Sequence, residues 1–319
     1  MVGQTTPPDD WWAEKYRPET LDQVIGHDSL KVKIKNWIKS GLPLHALLIG
    51  PHGTGKTTIA LCMAREYLKE DVFTHFKQLN ASDERRLEDI RSLKPFLGSR
   101  MSDKLKLVLL DEADSMAPQA QPALRRMMET YSRMGKFILT ANQIGGIIPP
   151  IQSRCAVFQV PFLTAAEVQT CILRVVRGEQ LKITRQAIDL IYQKSRGDMR
   201  KALVILQQAA SDRTTPIDAM KVEEFGVDRV DEDVKTILSK FVDGNVDEGV
   251  TLLQSLLYGK GVFGRDIVSA VGKTVRSDRT MTSDRKGKLL LNIAETDWRI
   301  SQGGNEEIQL TALLFSLVN

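Results

Sequence analysis

The sequence predicts an α/β domain built on a five-stranded parallel sheet, followed by a small helical domain and a third, all-α domain. Three observations predict it. Between Trp11 and about Phe162, short apolar runs alternate with helical segments. A glycine-rich loop joins the first of these runs to a helix, and beyond Pro161 the strand-like runs stop and helical periodicity takes over. These shifts place the domains at 1–162, 163–227 and 228–319.

In chain order, the strand-length runs are Leu44–Ile49, Phe76–Leu79, Leu105–Leu110, Lys136–Thr140 and Ala156–Val160. Each is followed by loop and helix signals, the signature of parallel strands with crossover helices. Leu107, Val108, Leu109 and Leu110 are apolar at every position, as a strand buried on both faces requires. A helix is expected from Thr57 to Tyr67. Thr164-Ala165-Ala166-Glu167 reads as a capping box, with helical periodicity running to about Ala210. Ser211–Pro216 is a polar break. From Asp231, Val234, Ile237, Leu238 and Phe241 recur at helical spacing. Similar patterns cover Ile267–Val275, Leu289–Trp298 and Ile308–Leu317.

Composition narrows the function classes. The 319 residues are 42% hydrophobic and 26% charged, ordinary for a globular protein. No apolar run approaches the roughly 18 residues of a membrane span, so no membrane association is expected. The polar, proline-containing stretch Met1–Asp10 resembles neither a signal nor a transit peptide, so a cytosolic location is expected. Cys62, Cys155 and Cys171 form an odd, sparse set without a C-x-x-C pair. That argues against disulfides and a cysteine zinc site, leaving buried or half-buried thiols. The net charge of +4 and pI near 8.8 hint at an anionic partner.

Gly50-Pro51-His52-Gly53-Thr54-Gly55-Lys56-Thr57, followed by Thr58, matches G-x-x-x-x-G-K-[ST] between a strand and a helix. Glycines allow positive φ and bring backbone amides close to phosphate oxygens, and the helix start aims its positive dipole end at them. Lys56 supplies a cation for the β- and γ-phosphates of ATP, and Thr57 a hydroxyl for Mg²⁺. The strand through Leu110 ends in Asp111 and Glu112, about 55 residues after the loop. Acids at the carboxyl end of such a strand sit where open α/β sheets bind ligands. Asp111 is expected to hold the metal through water, and Glu112 to orient and polarise the attacking water.

Further motifs span nearly the whole chain: Glu14-Lys15-Tyr16-Arg17-Pro18, Asn80-Ala81-Ser82-Asp83-Glu84-Arg85, Asp111-Glu112-Ala113-Asp114, Ala123–Glu129, Thr140-Ala141-Asn142, Ser153-Arg154-Cys155, Gly197–Ala202 and Gly304–Leu310. With the phosphate loop, they make the chain resemble the clamp-loader ATPases of the AAA+ type, specifically the replication factor C small subunits of archaea and eukaryotes. The style is archaeal, since the cysteine zinc module usual in bacterial relatives is missing. Two features depart from the family: Arg86 stands where glycine is usual, and Gln143–Pro150 lacks the usual lysine and glutamate. Both bear on which small-subunit paralogue this is.

The resemblance implies roles. Asn142 is the first sensor of the γ-phosphate, unless it only caps a loop. Arg200, on a helix expected to be capped by Asp198, is the second sensor, unless it is a surface arginine. Arg154 is an arginine finger acting on ATP held by the adjacent subunit; a structural salt bridge is the alternative. Asn80 is either a switch partner for Glu112 or a turn former. Tyr16, Arg17, Val24, Ile25 and Gly26 match the segment that packs on adenine. Arg85, Arg86, Arg91, Lys94 and Arg125 are the candidates for DNA phosphates, with a solvated face as the alternative. Arg85, Arg91 and Lys94 fall on one expected helix. Lys94-Pro95-Phe96-Leu97 is expected either to expose apolar side chains to the sliding clamp or to be ordinary core. The domains become an ATPase domain, a lid and an oligomerisation collar. The implied partners are other small and large subunits, in a pentameric hetero-oligomer, with the clamp and primed DNA. An archaeal cytosol or nucleoid location is implied, or a nuclear one in a eukaryote.

Overall fold

The computed structural model describes residues 11–81, 87–99, 104–224, 229–259 and 262–318. They belong to two compact units, Met1–Phe225 and Gly226–Asn319.

The first unit is organised by a sheet of β1 (His45–Ile49), β2 (Phe76–Asn80), β3 (Lys106–Asp111), β4 (Gly135–Ala141) and β5 (Cys155–Gln159). The order is β2-β3-β4-β1-β5, and every pairing is parallel. The five expected runs become these five strands, each within a residue or so of its expected bounds. Period-two alternation divides the side chains between two cores. Leu47, Val108, Leu110, Phe137 and Leu139 face one; Ala46, Leu48, Leu107, Leu109 and Ile138 face the other. Helices Asp28–Lys39 and Lys56–Leu68 contribute to the second core, and helix Ala120–Thr130 to the first. Burial on both faces is why β3 and β4 carry almost no polar residue in their centres.

One expected helix is interrupted. Arg91 ends the helix Leu87–Arg91, and a new one runs Leu93–Gly98. Pro95 has no N–H to offer the Arg91 carbonyl, and its ring crowds that group. Arg91 and Lys94 therefore do not share one continuous helix. The second helix turns Leu93 and Leu97 inward at i,i+4 spacing. Leu97 is fully buried and Phe96 half-buried against the same core, so this segment is core rather than an apolar surface.

The helices after Pro161 have a core of their own within the first unit. They run Ala165–Gly178, Arg185–Ser195, Met199–Ala209 and Ala219–Glu224. The Thr164–Glu167 capping box forms, and Asp198 accepts from Lys201 N at 2.9 Å, capping its helix as expected. Val168, Ile172, Ile191 and Leu206 make the core, joined by Trp12 from the N-terminal helix Trp12–Lys15. The three thiols are free, and burial pushes them up, to about 11 for Cys62 and about 12 for Cys155 and Cys171.

The second unit consists, among the described residues, of helices Arg229–Val242, Val246–Gln254, Gly264–Ser277, Ser283–Ser301 and Glu306–Val318, with a wide turn at Ser255–Gly259. Phe241, Leu253, Val271, Leu310 and Leu314 are among its core. A Cβ on Gly249 would meet the Phe241 ring at 2.6 Å, so the small residue lets the first two helices close up.

Candidate active site

Sheet order decides what meets what. β3, β4 and β1 are neighbours, about 4.8 Å apart. Their carboxyl ends carry Asp111 and Glu112, Asn142, and the phosphate loop, side by side. Two glycines of the loop have no room for a side chain. A Cβ on Gly50 would lie 2.0 Å from the Val160 carbonyl oxygen. Gly53, at φ +70°, would place one 1.8 Å from Asp198 Oδ1. Gly55, at φ +91°, sets the left-handed turn that opens helix Lys56–Leu68.

Lys56 is buried, and its ammonium donates to the carbonyls of Gly50 at 2.8 Å and Pro51 at 2.7 Å and to Asn142 Oδ1 at 2.9 Å. Burial pulls its pKa below the ordinary lysine value, against the acids Asp111, Asp114 and Glu112. The lysine and the expected sensor are thus already joined. Thr57 Oγ1 donates to Asp111, 2.8 and 2.9 Å from its two oxygens, and Thr140 Oγ1 donates to Asp111 Oδ1 at 2.5 Å. A hydroxyl beside a carboxylate, with no soft donor, suits a hard, oxygen-seeking divalent cation such as Mg²⁺. Glu112 takes φ +54°, uncommon for a side-chain-bearing residue, and its N–H donates to Thr140 Oγ1 at 3.0 Å. Asn80 pairs in register with Asp111, one residue from Glu112.

Asp114, quoted only as a motif letter, has a positioning job here. Its Oδ2 accepts from the N–H groups of Asn142 at 2.9 Å and Gln143 at 3.2 Å, fixing the loop that carries the sensor. Gln121, which motif reading passed over, is buried; it donates to Gly146 O at 2.8 Å and accepts from Ile148 N at 2.9 Å. Both act across long stretches of chain, and no local pattern announces them.

The cavity over the loop is closed by the N-terminal segment and the helices after Pro161. Tyr16, Arg17, Val24 and Ile25 line it, opposite Cys171, Val175 and Leu203. Tyr16 donates to Glu179 at 2.8 Å, and burial together with that carboxylate pushes its phenol up to about 12. Met199 N donates to Gly53 O at 3.0 Å, tying the helix that carries Arg200 to the loop. The exposed Arg200 lines the same cavity, as do His52, Gly53, Thr54, Gly55, Thr57 and Thr58. His27 joins in without having been anticipated; its Nε2 lies 3.3 Å from Thr54 O.

Arg154 is elsewhere. It immediately precedes β5, whose first residue pairs with His45 at the opposite end of β1 from the loop. Its guanidinium donates to Pro150 O at 2.6 Å and forms an ion pair with Glu129, the salt bridge foreseen as the alternative to a finger. Arg91 and Lys94 are exposed and Arg125 half-buried, its Nε 4.0 Å from Glu129. Arg85 and Arg86 lie outside the described residues.

Comparisons with known proteins follow the same division of the chain. The ATPase family associated with various cellular activities (AAA) matches residues 46–161, and the replication factor C C-terminal domain matches residues 230–316. The replication factor C small subunit of Picrophilus torridus is 37% identical over 306 residues, 95% of each chain. That of Haloarcula marismortui is 37% identical over 96% of this chain and 94% of its own. Small subunit 1 of Pyrobaculum aerophilum is 38% identical over the same shares. Among solved structures, the RuvB Holliday junction branch migration motor of Thermotoga maritima matches with a TM-score of 0.57 at 21% identity, over 76% of this chain and 87% of that one. At that identity the likeness concerns the fold alone. The relatives, by contrast, are similar through both the sheet-bearing region and the helical C-terminal region, and with that reach the chain belongs to the replication factor C small-subunit family of clamp-loader ATPases.

Proposed function

We propose that the chain is a motor subunit that binds and hydrolyses ATP to load a sliding clamp onto primed DNA, with its catalytic site completed by Arg154 of an adjacent subunit. The observation that carries the reading is the separation along β1. Five strand residues at about 3.3 Å each put roughly 16 Å between the Arg154 end of the sheet and Gly50. No arginine side chain spans that gap, yet Arg154 is partly exposed, with its guanidinium at the surface.

Loop amides and Lys56 would hold the β- and γ-phosphates, and Thr57 and Asp111 would hold Mg²⁺. When bound, the metal supplies neutralisation of phosphate charge. Glu112 orients the attacking water and draws on its proton. Asn142 and Arg200 contact the γ-phosphate, and Tyr16, Arg17, Val24 and Ile25 receive the base. Asn80, beside Glu112, acts as its switch partner. Arg91, Lys94 and Arg125, with Arg85 and Arg86, meet DNA phosphates without reading sequence. Residues 1–162 act as the ATPase domain, 163–227 as its lid and 228–319 as a collar. Val242, Leu291, Trp298 and Ile308 on the collar are exposed apolar residues suited to contact with other small and large subunits, in a pentamer. The working location is the archaeal cytosol or nucleoid, or the nucleus in a eukaryote.

The test mixes Lys56→Ala and Arg154→Ala chains in complexes with the large subunit, clamp and primed DNA. Arg154→Ala alone is expected to lose about 10³- to 10⁵-fold in rate. The mixture is expected to regain activity, because a Lys56→Ala chain still offers its finger. A mixture no better than either variant alone would sink the shared site.

A further inference from the structure

We propose that Glu129 is the positioning residue of Arg154, holding the guanidinium in the direction from which it meets a neighbour's ATP; this rests on the reading of Arg154 given above. The first observation is how completely the base of Arg154 is fixed. Its carbonyl accepts from His45 N at 3.1 Å, extending the β1–β5 ladder by one bond. One terminal nitrogen, Nη1, donates to Pro150 O at 2.6 Å and to Ser153 Oγ at 3.3 Å, and the other, Nη2, donates to Glu129 Oε1. A guanidinium has five N–H donors. Among the described residues three are engaged, which leaves two for phosphate oxygens, the number a bidentate contact needs. Glu129 thus aims the group without consuming it.

The second observation is that the backbone next to Glu129 is held by the residue that also meets the Arg154 backbone. It sits in the last turn of helix Ala120–Thr130, directly after Met128. The Met128 carbonyl lies 3.3 Å from His45 Nε2, and His45 Nδ1 accepts from Phe137 N at 3.0 Å. Nδ1 is therefore the unprotonated nitrogen, and Nε2–H is the donor to Met128. One buried imidazole joins the end of the Glu129 helix to β4, and its own backbone joins Arg154. The backbone positions from which carboxylate and guanidinium reach each other are thus tied to the sheet.

The third observation is exposure. The Arg154 and Glu129 side chains are 36% and 42% exposed, and a pair this open adds little to stability. Its effect lies in orientation. An unheld arginine must be ordered when the neighbour docks, and a displacement of about 1 Å at a reacting group lowers the rate by about 10²-fold.

The experiment measures clamp- and DNA-stimulated ATPase in the assembled complex for Glu129→Ala, Glu129→Gln and Arg154→Ala. Glu129→Ala is expected to lower kcat by about 10²-fold with KM for ATP nearly unchanged, since its own ATP contacts are elsewhere. Glu129→Gln keeps an oxygen that accepts from Nη2 and is expected to retain most of the rate. Melting temperature and nucleotide affinity of the Glu129→Ala chain should match the parent, which separates orientation from a folding defect. Parent-like or raised kcat in Glu129→Ala, with Arg154→Ala inactive, overturns the proposal and leaves the shared site standing. Equal loss in Glu129→Ala and Glu129→Gln overturns the acceptor role. Parent-like activity in Arg154→Ala overturns the shared site, and this proposal with it.

Discussion

Burial, aided by the nearby Lys136 charge, pushes the His45 imidazole down to about 4, although its ordinary value is 6.5. Below about pH 6.5 the unfolded chain therefore takes up a proton that the folded chain refuses until about pH 4. The folded state keeps its full stability above pH 6.5 and loses about 3 kcal/mol on this account as the pH falls to 4. A His45→Gln variant should show a flatter dependence across that window in urea unfolding at pH 7 and pH 4.5. Parallel curves for parent and variant would remove His45 from the account of acid sensitivity. The same residue shows the limit of reading by motif. A histidine opening an apolar strand has no local signature, and its partners Met128 and Phe137 are 83 and 92 residues away.

Between elements, the phosphate loop and the helix carrying Arg200 are built as one piece. Gly53 accepts from Met199 N, and the Asp198 carboxylate that caps the helix occupies the space where a Gly53 side chain would stand. Gly53→Ala should therefore weaken nucleotide affinity and stability through both φ and the clash. Asp198→Ala alone should cost about 1 kcal/mol as a lost cap. In the double variant the clash is relieved, so the two changes should be non-additive by more than about 0.5 kcal/mol in chemical unfolding. Strict additivity would mean that loop and helix do not share this contact. The capping box at Thr164 was legible because its two partners are three residues apart. The break between Arg91 and Lys94 was legible in principle, since Pro95 was visible, but helical spacing of the basic residues suggested continuity where a missing N–H forbids it.

At the scale of the whole molecule, the two compact units carry separate cores. A fragment of residues 1–225 contains the phosphate loop, Asp111, Asn142 and Arg200, together with both faces of the sheet. It should fold and bind a fluorescent ATP analogue with an affinity near that of the full chain. Its hydrolysis should not respond to clamp and primed DNA, because residues 228–319 are proposed to assemble the subunits. Failure of the fragment to bind nucleotide would place part of the site in the second unit.

By itself, the sequence determined the strands, the phosphate loop, the paired acids and the helical remainder. Each of these rests on interactions within a few residues or on burial of a continuous apolar run. Tertiary structure alone decided which strand ends adjoin, and so which groups share a site. It joined Lys56 to Asn142, 86 residues on, and tied Asp114 to the sensor loop. It also set Arg154 at the far end of the sheet, against Glu129. Those pairings follow from the order β2-β3-β4-β1-β5, which depends on how the whole domain buries its two apolar faces and which no local run of residues encodes.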